Sequence, residues 1–473
     1  MDSLNSILSA ISTVVWGPFV LIPLLLGTGL WLTIRLGGLQ FRALGRATRH
    51  VFATDSDDES PEGDISNYQA LTTALAATVG VGNIVGVATA LSIGGPGALV
   101  WIWITGLLGM ASKYTEAYLG VRFRTTDSKG EMSGGPQQYL KRGIPGPLGS
   151  VLAVFFAIFA ICASFGIGNL AQANAVATNM ESTFGIAPAA TGAILFVLVG
   201  SVLLGGIQAI GRITAAFVPL MIIVYVLGGL YVIFSHATEI PAAFAMIFSD
   251  AFTESAAGGG FVGSTIMMAI QYGVARGIFS NESGMGSAAI AAAAAKTPHP
   301  ARQGLVSMTQ TFIDTIIVVT ITGLVIVVGG TWDMDRDEAG IMTAEAFSRV
   351  LPGDWGGTIV SLSIIFFAFS TIMAWAYYGE RSLESLCGRK ASIPYRMFFA
   401  CLLFVGSVSE LELAWTFSDL ANGLIAIPNL IGLFLLSGLV ARETKAYLAF
   451  DPKLNKPVDE VRAFVESQGM DWK

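Results

Sequence analysis

The sequence predicts an all-α polytopic membrane protein with eleven transmembrane helices. Three observations carry this. Of the 473 residues, 53% are hydrophobic and only 12% charged, whereas soluble domains carry about 25% charged residues. Apolar runs of about twenty residues recur along the chain, each long enough to cross a bilayer as a helix. Lys and Arg fall in alternate connections, as the positive-inside rule requires.

The expected spans run over 14–35, 68–93, 98–120, 150–178, 190–208, 213–234, 262–295 (interrupted), 304–329, 357–380, 395–413 and 419–441. The turn Gly94-Gly95-Pro96-Gly97 separates the second from the third. Pro298 and Pro300 end the seventh, because proline cannot continue a helix. With alternate connections placed in the cytoplasm from the first helix onward, every Lys and Arg except Lys113, Arg276, Arg336 and Arg349 lies in an inner connection or the C-terminal tail. Arg212, for example, falls in the connection after the fifth span. This predicts a multi-pass protein of the cell (inner) membrane, N-terminus outside and C-terminus in the cytoplasm. The first residues lack a basic n-region, so the first apolar run is expected to stay as a helix. The acidic run from Thr54 to Asp64 reads as a solvated inner loop.

Two of the spans are interrupted by polar and glycine-rich stretches: Thr78-Val79-Gly80-Val81-Gly82-Asn83 and Phe279-Ser280-Asn281-Glu282-Ser283-Gly284. Irregular backbone at membrane depth is tolerated only where protein buries it or a cavity adjoins it. With the first helix set aside, the interruptions fall in the first and sixth of ten helices. Five helices per half is odd, so the halves insert with opposite orientation. This is the 5+5 inverted-repeat core of the leucine-transporter-like fold, with one extra N-terminal helix. The expected units are 1–67 (extra helix and acidic loop), 68–234 and 235–441 (the two repeats) and 442–473 (cytoplasmic tail).

A broken helix offers N–H groups at one half and freed carbonyls at the other. The first attracts a carboxylate, the second a cation. A small zwitterionic amino acid with Na⁺ suits both. In the first break Gly80 and Gly82 permit close approach, and Thr78 and Asn83 add side-chain oxygens. In the second, Ser280 and Asn281 do the same and Phe279 walls the pocket. Ser370 and Thr371, mid-helix in the eighth core helix, either complete a sodium shell or bond back to the preceding turn. Trp375, one turn on, is either a pocket wall or an interfacial anchor. Asn169, Gln172 and Asn174 either join helices or, Gln172 foremost, contact substrate.

Intramembrane charges are functional candidates by default. Arg276 is expected to pair with a carboxylate near the second break. Lys113 and Glu116 form an i, i+3 pair or a gate contact. Glu282 and Asp314 are the candidate proton sites if the carrier runs on H⁺ instead of Na⁺.

Other classes lack support. The net charge of −7 and the absence of a basic stripe argue against nucleic acid. Cys162, Cys387 and Cys401 are scattered, forming neither a disulfide framework nor a metal site. His50, His236 and His299 belong to no catalytic motif. No Walker A pattern is present, so ATP is not expected as a partner. A channel would need a filter repeated by symmetry.

Five stretches together resemble the sodium:alanine symporter family, also called the alanine/glycine:cation symporters. They are Ala77 to Ala90, Gly94 to Glu116, Phe165 to Asn174, Gly273 to Gly286 and Phe369 to Glu380. The resemblance runs from the first helix to about Leu439. It implies a carrier, not an enzyme, that imports small neutral amino acids such as alanine and glycine with Na⁺, or sometimes H⁺, and needs no organic cofactor. By position it implies that Thr78, Gly82 and Asn83 help form the substrate and ion site. Gln172, Phe279 and Trp375 would line the pocket. Ser370 and Thr371 would serve the cation, with Thr78 and backbone carbonyls near Val79 and Gly82.

Overall fold

The computed structural model describes residues 2–17, 19–52, 63–252, 262–334, 338–353, 355–409 and 412–469. Residues 54–62 of the acidic run, and Arg336, lie outside the described residues. The described chain is helical apart from a two-stranded hairpin, β1 (Thr125–Thr126) against β2 (Met132–Ser133).

Two helices, α1 (Asp2–Val15) and α2 (Leu21–Arg35), stand where the sequence suggested one span over 14–35. Pro18 stands between them in the sequence, and proline has no N–H with which to continue a helix. Next comes α3 (Leu39–Phe52), which carries Arg42, Arg46 and Arg49 on a helix where a connection was expected. α4 (Asn67–Thr78) begins at a capping box in which the Ser66 hydroxyl accepts the Gln69 N–H and the Gln69 carboxamide accepts the Ser66 N–H. It ends at the first break. A π-helical turn, Gly82–Gly86, leads into α5 (Val87–Gly94), and the two halves meet at 53°.

α6 (Ala98–Arg122) leads to the hairpin and the short α7 (Pro136–Gly143). α8 (Pro147–Phe165) and α9 (Ala171–Phe184) are joined by a π turn at Gly166–Leu170. α10 (Pro188–Leu204) and α11 (Gly206–Ser235) abut, with Gly206 at φ +60°. Arg212 therefore lies within α11 rather than in a connection. α12 (Ile240–Phe252) precedes α13 (Val262–Asn281), the second break and α14 (Ala288–Ala293). α15 (Pro300–Thr311) passes through a π-helical stretch, Phe312–Val319, into α16 (Thr320–Val328). The chain ends with α17 (Met342–Ser348), α18 (Trp355–Cys387), α19 (Ser392–Val408), α20 (Glu412–Phe450) and α21 (Val458–Ser467). Among the described residues, six helices are long and apolar enough to cross a membrane singly, or up to eight spans if each bent pair counts as one.

α13 lies along α5 and α6, and α15 along α6. The approach of α13 to α6 is close: a Cβ on Gly277 would sit 2.3 Å from the Thr105 hydroxyl. Small residues at such contacts let apolar helices pack where no hydrophobic drive operates between them. α18 runs along α8 and α9, and α10 along α19. The N-terminal helix α1 packs chiefly on α20.

The end of the bundle richest in Lys and Arg is tied shut. The Asp64 N–H donates to the Ala294 carbonyl at 2.8 Å, and the Lys296 N–H to that of Ile65 at 2.8 Å. Arg124 donates to the carbonyls of Ala293 (3.1 Å) and Ala295 (2.7 Å). Nearby, Arg381 and Arg389 clamp the hairpin to the end of α18 through Asp127, Glu131 and Glu384. The last residues also pack down. Arg302 reaches Asp451 at 2.7 Å, and His299 stacks on Tyr447 at 3.7 Å. Residues 442–469 are thus helix and packed chain.

Candidate functional site

The first break opens at Val79, whose ψ of 87° takes the chain out of the helix. The Asn83 side chain holds the turn: its oxygen accepts the Gly80 N–H at 2.9 Å. The second break opens at Glu282, φ +55°, followed by Gly284 and Gly286 at φ +94° and +79°. Its amides are met by side chains. Asn281 takes the Ser283 N–H at 2.9 Å, and Glu116 takes that of Gly286 at 2.9 Å. Asn429 donates to both Glu116 and the Gly284 carbonyl at 2.8 Å. Lys113 donates to the Glu282 carbonyl at 3.0 Å, with its Nζ 3.8 Å from Glu116. The Lys113–Glu116 pair is therefore a support for the second break.

Asp314 links the two breaks. It accepts from Asn83 at 2.7 Å, from Ser280 at 2.9 Å and from Thr315 at 2.9 Å. Asn281 donates to Thr315 at 3.1 Å. All of these residues are buried. Ser280 and Asn281 thus engage α15 and its π-helical continuation in this conformation.

Oxygens gather on the other side of the first break. Thr371 donates to the Ala76 carbonyl at 2.9 Å and to Phe367 at 3.0 Å. Ser370 lies 2.8 Å from the Phe367 carbonyl and 3.4 Å from that of Ala76. The hydroxyls bond back along α18 and also meet the end of α4. A Cβ on Gly80 would fall 2.7 Å from the Thr371 hydroxyl, so the break backs directly onto this cluster. Neutral carbonyls and hydroxyls of this kind fit a monovalent hard cation.

Thr78 is placed differently from its expectation. Its hydroxyl donates within its own helix, to Ala74 at 3.2 Å and Leu75 at 3.4 Å. The Gly82 carbonyl accepts the Val87 N–H in the π turn. The carbonyl on the cluster is that of Ala76, two residues before Thr78.

Phe279, Trp375 and Gln172 all lie beside the breaks. A Cβ on Gly82 would meet the Phe279 ring at 2.8 Å. Trp375 is fully buried, and its indole N–H donates to Glu282 at 2.8 Å. It lies in the protein interior beside the second break, not at a membrane interface. Gln172 follows the π turn of α8–α9 and is anchored through its amide to the Ile167 carbonyl at 3.0 Å. Its carboxamide oxygen is buried without a protein donor and lies 3.9 Å from where a Gly80 Cβ would stand. By contrast Asn169 and Asn174 donate to the Phe399 and Ser409 carbonyls, joining α9 and its π turn to the α19 region. Arg276 finds its carboxylate in Asp419, at 3.4 Å on α20.

Sequence reasoning missed three members: the Ala76 carbonyl, Asn429 and Glu282 as the partner of Trp375. Asn429 follows Pro428 inside an apolar run, a signal that was available. A backbone carbonyl gives none.

Two interrupted helices meeting at a buried polar seam, in a bundle of apolar spans, define a secondary transporter of the leucine-transporter-like fold. The crystal structure of MhsT in complex with L-phenylalanine superposes with a TM-score of 0.55 at 12% identity, covering 81% of this chain and 99% of that one. At that identity it speaks to fold alone. The sequence profile of the sodium:alanine symporter family matches residues 1–461. The sodium/alanine symporter AgcS of Methanococcus maripaludis is 50% identical over 93% of this chain and 97% of its own length. The amino-acid carrier protein AlsT of Bacillus subtilis is 34% identical, covering 94% and 92%. The chain belongs to the sodium:alanine symporter family.

Proposed function

We propose that this chain imports small neutral amino acids, alanine and glycine foremost, together with Na⁺ by alternating access. The observation that carries the reading is the meeting of Ser370 and Thr371 with the Ala76 carbonyl behind Gly80. A cation there joins α18 to the first break and orders it. The substrate carboxylate then docks at the N-terminal end of the Gly82–Gly86 turn, where helix N–H groups and the helix dipole favour an anion. The Gln172 oxygen, still lacking a donor, receives the ammonium group. Phe279 and Trp375 close the pocket and restrict it to small side chains.

The basic end is the cytoplasmic end in this reading, with the N-terminus outside and eleven spans in the cell membrane. Residues 68–234 and 235–441 form the two inverted repeats, and they rock about the breaks. A potential of 100 mV adds about 2.3 kcal/mol for each Na⁺ charge carried inward. The chain acts as a carrier without enzymatic chemistry, organic cofactor, nucleic acid or ATP.

The test is alanine uptake into proteoliposomes under an inward Na⁺ gradient, set against an equal inward H⁺ gradient. Uptake driven by Na⁺ supports the reading. Uptake driven only by H⁺ transfers coupling to Glu282 or Asp314.

A further inference from the structure

At the end opposite the basic one, a cleft of about 420 Å³ lies between α1, α13 and α20. It is lined by Ser12, Thr13, Trp16, Arg276, Phe279 and Asp419 among others. A second cavity, of about 260 Å³, shares Arg276, Phe279 and Asp419 with it and reaches Gly82. The path from the cleft to the first break thus runs past the Phe279 ring, itself only 6% exposed.

Arg276 and Asp419 face each other across the cleft as a long, partly exposed ion pair. Their two hydrogen bonds measure 3.4 and 3.5 Å, and the side chains are 20% and 28% exposed. Arg396 and Glu380 make the same two-pronged contact at 2.7 Å in both arms. Charge-assisted pairs ordinarily close to about 2.7–2.9 Å. The looser pair faces the cleft, and the buried Arg276 Nε lacks a hydrogen-bond partner. The guanidinium also lies 5.4 Å over the Phe279 ring.

We propose that this cleft is an access site where the amino acid is first held as a zwitterion, its carboxylate on Arg276 and its ammonium on Asp419, before it passes Phe279. The inference rests on the transport reading above and adds a second site to it. A zwitterion separates its charges within one small molecule, so it replaces a stretched ion pair without leaving either charge unpaired. Drawing Arg276 toward the substrate takes its guanidinium off the Phe279 ring and frees that ring to turn. The N-terminal helix is part of this site. α1 supplies the Ser12 and Thr13 wall, and the Trp16 indole N–H donates to the Asp419 carbonyl at 2.8 Å, fixing α1 to the residue that bears the carboxylate. The helix outside the ten-helix core thus shapes access to it.

The test compares alanine uptake kinetics in proteoliposomes for wild type, Arg276→Gln, Arg276→Lys and Ser12→Phe. Arg276→Gln should raise KM about tenfold while the maximal rate stays within about twofold, because capture is lost and the later steps are kept. Arg276→Lys, which retains a cation, should recover most of that loss. Ser12→Phe fills the cleft from α1 and should cut kcat/KM about tenfold with the Na⁺ half-saturation unchanged. Ser12 lies outside the core, so this variant decides the matter if Arg276→Gln does not fold. An unaltered KM in Arg276→Gln, or an unaltered kcat/KM in Ser12→Phe, overturns the access site while wild-type uptake persists. Absence of alanine uptake by the wild type overturns the transport reading and the access site together.

Discussion

The Trp375 indole N–H donates a 2.8 Å hydrogen bond to the Glu282 carboxylate, tying α18 to the second break. Ser287 donates to the other oxygen of the same carboxylate. The buried carboxyl group therefore orients an aromatic side chain and fastens α14 to the break.

Removing that acceptor leaves a buried indole N–H unsatisfied, which costs about 1–3 kcal/mol. Glu282→Leu should reduce alanine uptake about tenfold or more. Glu282→Gln keeps an acceptor oxygen and should retain Na⁺-driven uptake. If well-folded Glu282→Gln loses all uptake, the carboxyl is doing proton work instead. Gradient-driven uptake in proteoliposomes reads both.

Thr371 offers the shorter of the two hydroxyl contacts to the Ala76 carbonyl, 2.9 Å against 3.4 Å for Ser370. Thr371→Val preserves shape and removes the oxygen. Its Na⁺ half-saturation should rise about tenfold, equivalent to about 1.4 kcal/mol of cation binding. Thr371→Ser should restore it. A titration of uptake against Na⁺ checks this, and an unchanged midpoint in Thr371→Val would remove the hydroxyl from the cation shell.

Gly82→Ala places a methyl group 2.8 Å from the Phe279 ring. The ring must shift, and the pocket between them changes shape. Alanine uptake should fall sharply while the variant still inserts and folds, since one displaced ring costs about 1–3 kcal/mol in a packed site. Uptake at the wild-type rate would show that Phe279 does not wall the substrate.

The clamp at the basic end gives a pH prediction. Burial pushes the Asp127 carboxyl up, but the Lys129 and Glu131 amides and the Arg381 guanidinium outweigh it, so the carboxyl titrates below its ordinary value of 3.8. A lowered value means that its stabilisation is complete above the ordinary one and is lost as pH falls through the lowered one. Hydrogen exchange in the 125–133 hairpin should therefore be protected equally from about pH 5 to about pH 8, after correction for the intrinsic rate. Asp127→Asn should lose protection across that whole range. Protection in the wild type that fades near neutral pH would contradict the assignment.

Much of this architecture was legible in the sequence because a bilayer leaves few options. Apolar length sets the spans, and backbone that cannot bond to itself in hydrocarbon must be buried or functional, so Gly80-Val81-Gly82 and the Asn281–Gly284 stretch stood out. Phe279, Trp375, Gln172 and the Ser370-Thr371 pair could be nominated as rare side chains beside those breaks. Nothing local, however, says which way a side chain turns about its helix. Tertiary packing alone brings the Ala76 carbonyl to Thr371, turns Ser280 and Asn281 to the Asp314–Thr315 cluster and pairs Glu282 with Trp375, more than ninety residues away. It also lays α1 along the cleft. Those choices depend on contacts between segments remote in sequence, whereas the spans and breaks follow from what each segment can do by itself in lipid.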